Sequence, residues 1–402
     1  TVGIVPKPDK LQGLFSQPDK YESTSRSPSK KYKISFFKIN AVPLRRFPKE
    51  HIMSNKQLFN DPVQRKRYIC ALLMILLMVG VSELMGEKEI IFPEMAALTI
   101  GMWIVDKKVW TVSRLKLVLL MSIGAIVGVC IVRYSPFPLI VNLCISFAFS
   151  AICLQVSRTT LIPQISACML PILLGTESWV YPIAVTVMSL VVVGGQKWME
   201  KNKYRKEITY TPVQRDPKKN CLKWGTLLAT IPLIAAIPIH TGYLYCILPP
   251  LIVTYVEFST SKAGFRGRPL GTFLLLAIAA VLGSTSQLIG HIYLHLPETV
   301  VALFLFICLF ILFEWWGKFF APAGAIALVP MIISPQGLIG YPLQVMIGAA
   351  LLIFIAMVLF LKCYKWPKSH LIYCLVPAPI RTSHRYRSYL RQQERKTMPN
   401  LG

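Results

Sequence analysis

Long apolar runs, one after another, constrain this chain more than any other feature. Between residues 68 and 362 the sequence is a series of such runs with short breaks. A bilayer requires roughly 20 apolar residues for one helical span, whereas a soluble core does not require such a succession. Only 15% of the residues are charged, against about 25% in an average soluble domain. The pattern predicts an all-α, polytopic membrane protein.

Twelve apolar segments can be counted, six before a polar linker at 197–222 and six after it. In order they are 68–86, 90–105, 115–134, 138–157, 161–175, 179–196, 223–240, 243–257, 269–290, 297–316, 319–334 and 338–362. When the N-terminus is placed in the cytoplasm, most Lys and Arg residues fall in alternate, inner loops, as the positive-inside rule requires. We therefore expect a multi-pass protein of the cell membrane with both termini in the cytoplasm.

Charge and hydropathy divide the chain into five parts. The membrane halves are expected at 67–196 and 223–362, joined by the basic cytoplasmic linker. A basic, disordered cytoplasmic segment is expected at 1–66, and a basic cytoplasmic tail at 363–402. The sequence leaves open whether residues 1–52 belong to the functional protein.

The two halves carry the same short pattern. The shared residues pair as Pro163 with Pro322, Pro171 with Pro330 and, after a one-residue slip, Tyr181-Pro182 with Tyr341-Pro342. Six spans return the chain to the same side of the membrane. The halves are therefore predicted to be two six-span parallel repeats, related by a pseudo-twofold axis along the membrane normal.

Four of the segments are short. Each has 15 or 16 residues, which as a straight helix would reach only about 24 Å. Each also has a proline near its start, namely Pro93, Pro163, Pro249 and Pro322. Duplicated short segments interrupted by proline are a sequence signature of a transport site. We expect the four to meet between the repeats, and the sequence leaves open whether they span the membrane or re-enter it.

The starts of these short segments supply the predicted binding residues. A helix that begins within the membrane presents unpaired N–H groups and a positive dipole end. Small side chains after the prolines let a ligand, or another helix, approach the backbone. The candidates are Pro93, Pro163, Gln164 and Ser166 in the first half, and Pro322, Ala323, Gly324 and Ala325 in the second. These residues predict an anion-binding site. The alternative is that they only pack a crowded helix bundle.

Two charged residues complete the predicted site. Glu94 follows Pro93 inside an apolar segment, where ionisable groups are costly and usually functional. It is a candidate for proton coupling, and the alternative is a position at the outer interface. Arg266 precedes the ninth segment and could attract an anion from the cytoplasm, although an ordinary positive-inside loop explains it equally well.

Several classes of function are not expected. The net charge of +26 does not indicate nucleic-acid binding, because the Lys and Arg residues lie in loops and termini instead of on a soluble fold. Anionic lipid headgroups at the cytoplasmic face are the expected partners of these residues. No nucleophile elbow, phosphate loop or zinc-protease motif occurs, so we expect no enzyme. The ten cysteines include no CxxC pair, and we expect neither a metal nor another cofactor.

Residues 321–360 resemble the HPP family of integral membrane proteins. Pro322-Ala323-Gly324-Ala325 match the family's Pro-Ala-Gly-Ala, and Arg266 fits an arginine that precedes a helix. Phe320 and Ala321 stand where the family has His and its first Pro, so no role for that histidine is carried over. The resemblance implies a membrane protein for whose plant members nitrite transport has been suggested. It makes Pro322, Gly324 and Arg266 candidate site residues.

Together these features predict a secondary transporter of a small solute. An anion such as an oxyanion or a weak acid is favoured, bound between the repeats where the short helices begin. The alternative is a membrane protein without transport activity, with a structural, lipid-binding or accessory role. The sequence gives neither the substrate nor the coupling ion, and a homo-oligomer remains one alternative for its assembly.

Overall fold

The computed structural model describes residues 61–106, 108–207, 210–213, 217–260 and 269–362. Within these ranges every regular element is helical, which confirms the all-α prediction. The predicted tail 363–402, most of the predicted segment 1–66, and Arg266 lie outside the described residues.

Twelve α-helices follow one another along the described part of the chain. They are α1 (Pro62–Met85), α2 (Pro93–Thr99), α3 (Arg114–Tyr134), α4 (Leu139–Ser157), α5 (Pro163–Leu174), α6 (Val180–Lys201), α7 (Pro217–Thr241), α8 (Pro249–Thr260), α9 (Pro269–Ser286), α10 (Glu298–Trp316), α11 (Ala321–Leu328) and α12 (Tyr341–Lys362). Eight are long and apolar enough to cross a membrane. The other four, α2, α5, α8 and α11, have 7 to 12 residues.

The twelve predicted segments thus become eight helices of spanning length and four short ones. Extended backbone precedes two of the short helices, at Phe92 before α2 and at Phe320 before α11. Phe92 is followed by Pro93, and the residue before a proline is disfavoured in the α region. Turns of other helical types follow two of the short helices. A π turn at Ile100–Ile104 follows α2, and a 3₁₀ turn at Val329–Met331 follows α11.

The four short helices lie at the centre of the described bundle. Helix α2 packs against α11, and α5 packs against α8. Smaller contacts join α2 to α5 and α8 to α11. Every residue of α2 and of α11 is buried.

The long helices surround this centre and present apolar side chains outward. Leu73 of α1, Ile183 of α6 and Leu233 of α7 are each 60% or more exposed. Apolar surface of this kind is unfavourable in water and suits contact with lipid tails. The distribution fits a multi-pass membrane protein.

Polar contacts join the connections at each end of the bundle. The end that carries the start of α1 and the connection 158–162 is called here the basic end; there Arg67 forms an ion pair with Asp106. At the opposite end the Glu83 carboxylate accepts the N–H groups of Glu298 and Thr299, at 2.9 and 3.1 Å. It thereby satisfies donors that the first turn of α10 would otherwise leave unpaired.

Helix α6 continues beyond the predicted start of the linker at 197. Hydropathy placed that boundary where charged residues begin, but the helix extends to Lys201. The Gln196 side chain donates to Glu200 one turn later, at 2.8 Å. Such an i,i+4 pair stabilises a helix after the apolar stretch has ended.

Candidate functional site

Glu94 and Ser166, two of the predicted site residues, meet in the centre of the bundle. Glu94 lies in the first turn of α2 and Ser166 in the first turn of α5. The Ser166 hydroxyl donates a hydrogen bond to Glu94 Oε1. Both residues are buried, at 2% and 0% exposure, so the carboxyl group of Glu94 does not lie at an exposed interface.

The second carboxyl oxygen of Glu94 is unsatisfied. Oε2 is buried and has no hydrogen-bond partner among the described residues. No ion pair to Glu94 occurs there either. An unpaired buried oxygen costs about 1–3 kcal/mol, so a donor that satisfied Oε2 would stabilise the buried carboxyl group.

Gln164 lies on another face of α5, toward α3. A Cβ atom at Gly124 of α3 would lie 3.1 Å from Gln164 Nε2. Neither Nε2 nor Oε1 has a partner within the described part of the chain. The structure therefore places a second unsatisfied polar group near the start of α5, but separately from the Glu94–Ser166 pair.

The predicted residues of α11 form a packing surface. Pro322, Ala323, Gly324 and Ala325 are all buried. A Cβ at Gly324 would overlap the Ile100 side chain and lie 3.5 Å from Ala96 Cβ. Gly324 thus allows α11 and α2 to approach closely, and this stretch of α11 brings no polar side chain to the site.

The expected unpaired N–H groups are not found where they were predicted. In α5 the N–H groups of Gln164 and Ile165 donate to the two carbonyls before the proline, at 3.2 and 2.9 Å. In α11 the Ala323 N–H donates to Phe320 at 3.1 Å. The prediction of unpaired backbone N–H groups is wrong for these three residues, because carbonyl oxygens of a tight turn at the start of each helix accept their hydrogen bonds. The unpaired groups are side-chain atoms instead.

Corresponding hydrogen bonds occur in the two halves. The Tyr181 hydroxyl donates to the Ala167 carbonyl at 3.0 Å, and the Tyr341 hydroxyl donates to Ile326 at 2.6 Å. Each accepting carbonyl lies four residues after the paired proline, Pro163 or Pro322. A tyrosine at the start of a long helix therefore holds the preceding short helix in the same way twice.

The close helix contacts correspond as well. A Cβ at Gly128 of α3 would overlap the Cys168 carbonyl of α5. A Cβ at Gly283 of α9 would overlap the Ala327 carbonyl of α11. Both carbonyls lie five residues after the paired prolines.

A cavity of about 370 Å³, called here the central cavity, opens at the end of the bundle opposite the basic end. Residues from both halves line it, among them Glu89, Leu173, Tyr181, Tyr245 and Ile332. The Tyr181 ring stacks edge-on against Phe92, with ring centres 5.9 Å apart. Tyr181 therefore connects the cavity wall to Phe92, the residue that precedes α2.

Glu257 is a buried carboxyl group that the sequence reasoning did not select. It lies in α8, is 3% exposed, and accepts a hydrogen bond from Trp110 Nε1 at 3.0 Å. The signal was present, since this glutamate follows the apolar stretch Leu251–Val256. The sequence analysis did not select it because it stands at the last position of the predicted segment 243–257.

Metal binding finds no support in the described ranges. They contain no group of three or more His, Cys, Asp or Glu residues that could hold a metal ion.

Comparison with protein-family models, curated proteins and solved structures gives no match. Function is therefore inferred from the geometry of the molecule itself.

Proposed function

We propose that this protein is a secondary transporter of a small solute that moves together with a proton carried by Glu94. The observation that carries the proposal is the Glu94–Ser166 pair, a fully buried carboxyl group with one hydrogen bond and one unsatisfied oxygen. Ionisable groups at membrane depth commonly belong to ion pathways and proton relays. A proton at Oε2 would remove the buried charge, and a donor on the solute would satisfy the oxygen, each for part of the transport cycle.

The favoured substrate class is a small anion, such as a weak acid or an oxyanion. Moving a lone anion through an apolar bundle is costly, because the surroundings cannot replace its hydration. A proton bound at Glu94 would remove the carboxylate's own charge, so that the loaded site holds one negative charge instead of two. The anion and the proton together then carry no net charge across the membrane. Gln164 provides an uncharged donor near the start of α5, with its amide unsatisfied.

The proposed architecture is two six-helix repeats that hold the site between them. The paired tyrosine hydrogen bonds and the paired glycine contacts support this arrangement. So does the order of long and short helices, which is the same in α1–α6 and α7–α12. The contacts of α2 with α11 and of α5 with α8 cross from one repeat to the other. Rocking of one repeat against the other would open the site alternately to the two sides.

The resemblance of residues 321–360 to the HPP family remains a prediction and agrees with a transport function. The cytoplasmic location of both termini is also part of the proposal. It rests on the Lys and Arg residues of the inner loops and on the positive-inside rule.

Uptake into proteoliposomes tests the proposal. Purified full-length protein would be assayed with a panel of weak acids and oxyanions at two external pH values. We expect faster uptake of at least one anion when the outside is more acidic than the lumen. Glu94→Gln should remove that pH dependence, and Ser166→Ala should weaken it.

The matched control for this assay is Glu87→Gln, because Glu87 is an exposed carboxylate seven residues before Glu94. It should behave as wild type. If no solute in the panel is taken up above the rate of empty liposomes, the transport proposal loses its support.

A non-transport role is the second candidate. The complete burial of α2 and α11, with close backbone packing at Gly324, is what a structural scaffold would show. Thermal unfolding separates the two candidates. Stabilisation by particular lipids and by none of the anions would favour the scaffold.

A further inference from the structure

A second cavity, called here the basic cavity, lies at the basic end of the bundle. Its volume is about 350 Å³. It is enclosed by the connection between α2 and α3, the start of α3, and the end of α6. Its lining includes Lys108, Trp110, Ser113, Arg114, Gln196 and Arg205. Gly101, which also lines it, follows the C-terminal end of α2, whereas Glu94 lies at the start of that helix.

Arg205 is a buried cation with unused donors. Its exposure is 4%, and its Nη2 donates to the Val105 carbonyl at 2.8 Å. Nε and Nη1 are buried and have no partner among the described residues. Unpaired guanidinium donors of this kind are costly, because five N–H groups leave water and only some find acceptors.

The charge of Arg205 is only partly compensated. Burial first, and then the nearby Arg67 charge, lowers the pKa of Arg205 to about 10, while Asp106 and Glu200 act in the opposite direction. The guanidinium is therefore still protonated at neutral pH. An anion beside it would remove the penalty that burial imposes on the charged form.

The other charged groups around the basic cavity favour the binding of a negatively charged ligand. Lys108 and Arg114 join Arg205 on the wall, and among the described lining residues Glu207 is the one carboxylate. Arg114 also forms an ion pair with Glu200. Helix α3 begins at the cavity with Ser113 as its N-cap, so the positive end of a 21-residue helix dipole adds to the field.

We propose that the basic cavity binds a phosphoryl group, carried either by an anionic lipid headgroup or by a free phosphate compound. The planar guanidinium group of an arginine donates to phosphate oxygens along its edges, and Nε and Nη1 of Arg205, which have no partner among the described residues, lie on the two different edges that flank Nη2. The volume lies at the small end of the range for ligand pockets, which suits a headgroup or a small phosphate. The site is separate from the Glu94–Ser166 pair and does not depend on the transport proposal.

Thermal unfolding of the purified full-length protein tests the basic cavity. One arm titrates inorganic phosphate into detergent-solubilised protein, with sodium chloride at equal ionic strength as the reference. The other arm compares nanodiscs of phosphatidylcholine with and without phosphatidic acid, whose headgroup is a bare phosphate. We expect a saturable rise in melting temperature in at least one arm, and the arm that responds identifies the source of the phosphoryl group.

Variants assign the effect to the cavity. Arg205→Gln should weaken the apparent affinity at least about tenfold, the value of one charge-assisted hydrogen bond. Arg65→Gln, at an exposed arginine of the same end, should change it less than about twofold. Lys108→Gln, on the cavity wall, serves as a second variant if Arg205→Gln does not fold, and should weaken binding by several-fold.

Two results would overturn this site. One is the absence of a saturable shift in both arms. The other is a shift that Arg205→Gln and Lys108→Gln leave unchanged, because the phosphoryl group would then bind elsewhere.

Discussion

Two glycines set the distance between long and short helices. A Cβ atom added at Gly128 or Gly283 would overlap a backbone carbonyl of the neighbouring short helix. A carbonyl cannot rotate away as a side chain can. Any larger residue must therefore separate the helices. In a close-packed interior such displacement costs about 1–3 kcal/mol.

We predict that Gly128→Ala and Gly283→Ala each lower the melting temperature. The two reductions should be similar, since each substitution pushes a short helix away from its long neighbour. Gly194→Ala is the matched control, because nothing lies within 4 Å of its Cβ position and its backbone is helical. It should be neutral or slightly stabilising, by about 0.4–1 kcal/mol. Equal melting temperatures for all three variants would contradict the close contacts.

The contact between α2 and α11 decides whether the two halves share one core. These helices are far apart in sequence, yet Ala96 and Gly324 approach to 3.5 Å between Cβ positions. That separation is within the range of about 3.5–4.5 Å found across disulfides. The contact can therefore be captured by a covalent bond.

We predict that Ala96→Cys combined with Gly324→Cys forms a disulfide under mild oxidation, with the end of the Ile100 side chain rotating away from the new Cβ. A protease site inserted after Val213, an exposed residue between the halves, would make the bond visible. After cleavage the halves should migrate together without reductant and separately with it. The single variants should separate in both conditions, and separation of the oxidised double variant would show that α2 and α11 do not pack together.

The prolines predicted the positions of the short helices, but not their partners. Pro93, Pro163 and Pro322 each lie in the first turn of a short helix, as the sequence indicated. Proline acts locally, because its fixed φ is already helical and its missing N–H would have no partner in the first turn. Local signals carry no information about the pairing of α2 with α11, which depends on side-chain shape.

For the polar groups of the site, too, the sequence predicted which residues matter but not how they are arranged. Glu94 was selected because a carboxylate in an apolar segment is unusual, and it is buried in the structure. The Gln164 side chain lies toward α3 instead of Glu94. This direction depends on how α5 is oriented about its own axis in the folded bundle, which the sequence does not give. The bonded N–H groups of Gln164 and Ile165 were also beyond the sequence, because they depend on a tight turn before the proline.

The whole molecule combines a lipid-facing shell of long helices with a buried centre that holds an unsatisfied carboxyl group. The central cavity lies at one end, and Tyr181 on its wall contacts Phe92, which precedes α2. The basic cavity lies at the other end and belongs to a different set of residues. This arrangement is consistent with alternating access, in which the central site faces one side at a time.

The central claim is that Glu94 carries the proton that moves with the solute. A comparison of net uptake with solute exchange in the same proteoliposomes tests it most directly. Net uptake requires the carboxyl group to release its proton in every cycle, whereas exchange does not. We predict that Glu94→Gln abolishes net uptake driven by a pH gradient and retains exchange of labelled for unlabelled solute. Net uptake by Glu94→Gln at the wild-type rate, with unchanged dependence on the pH gradient, would contradict the claim.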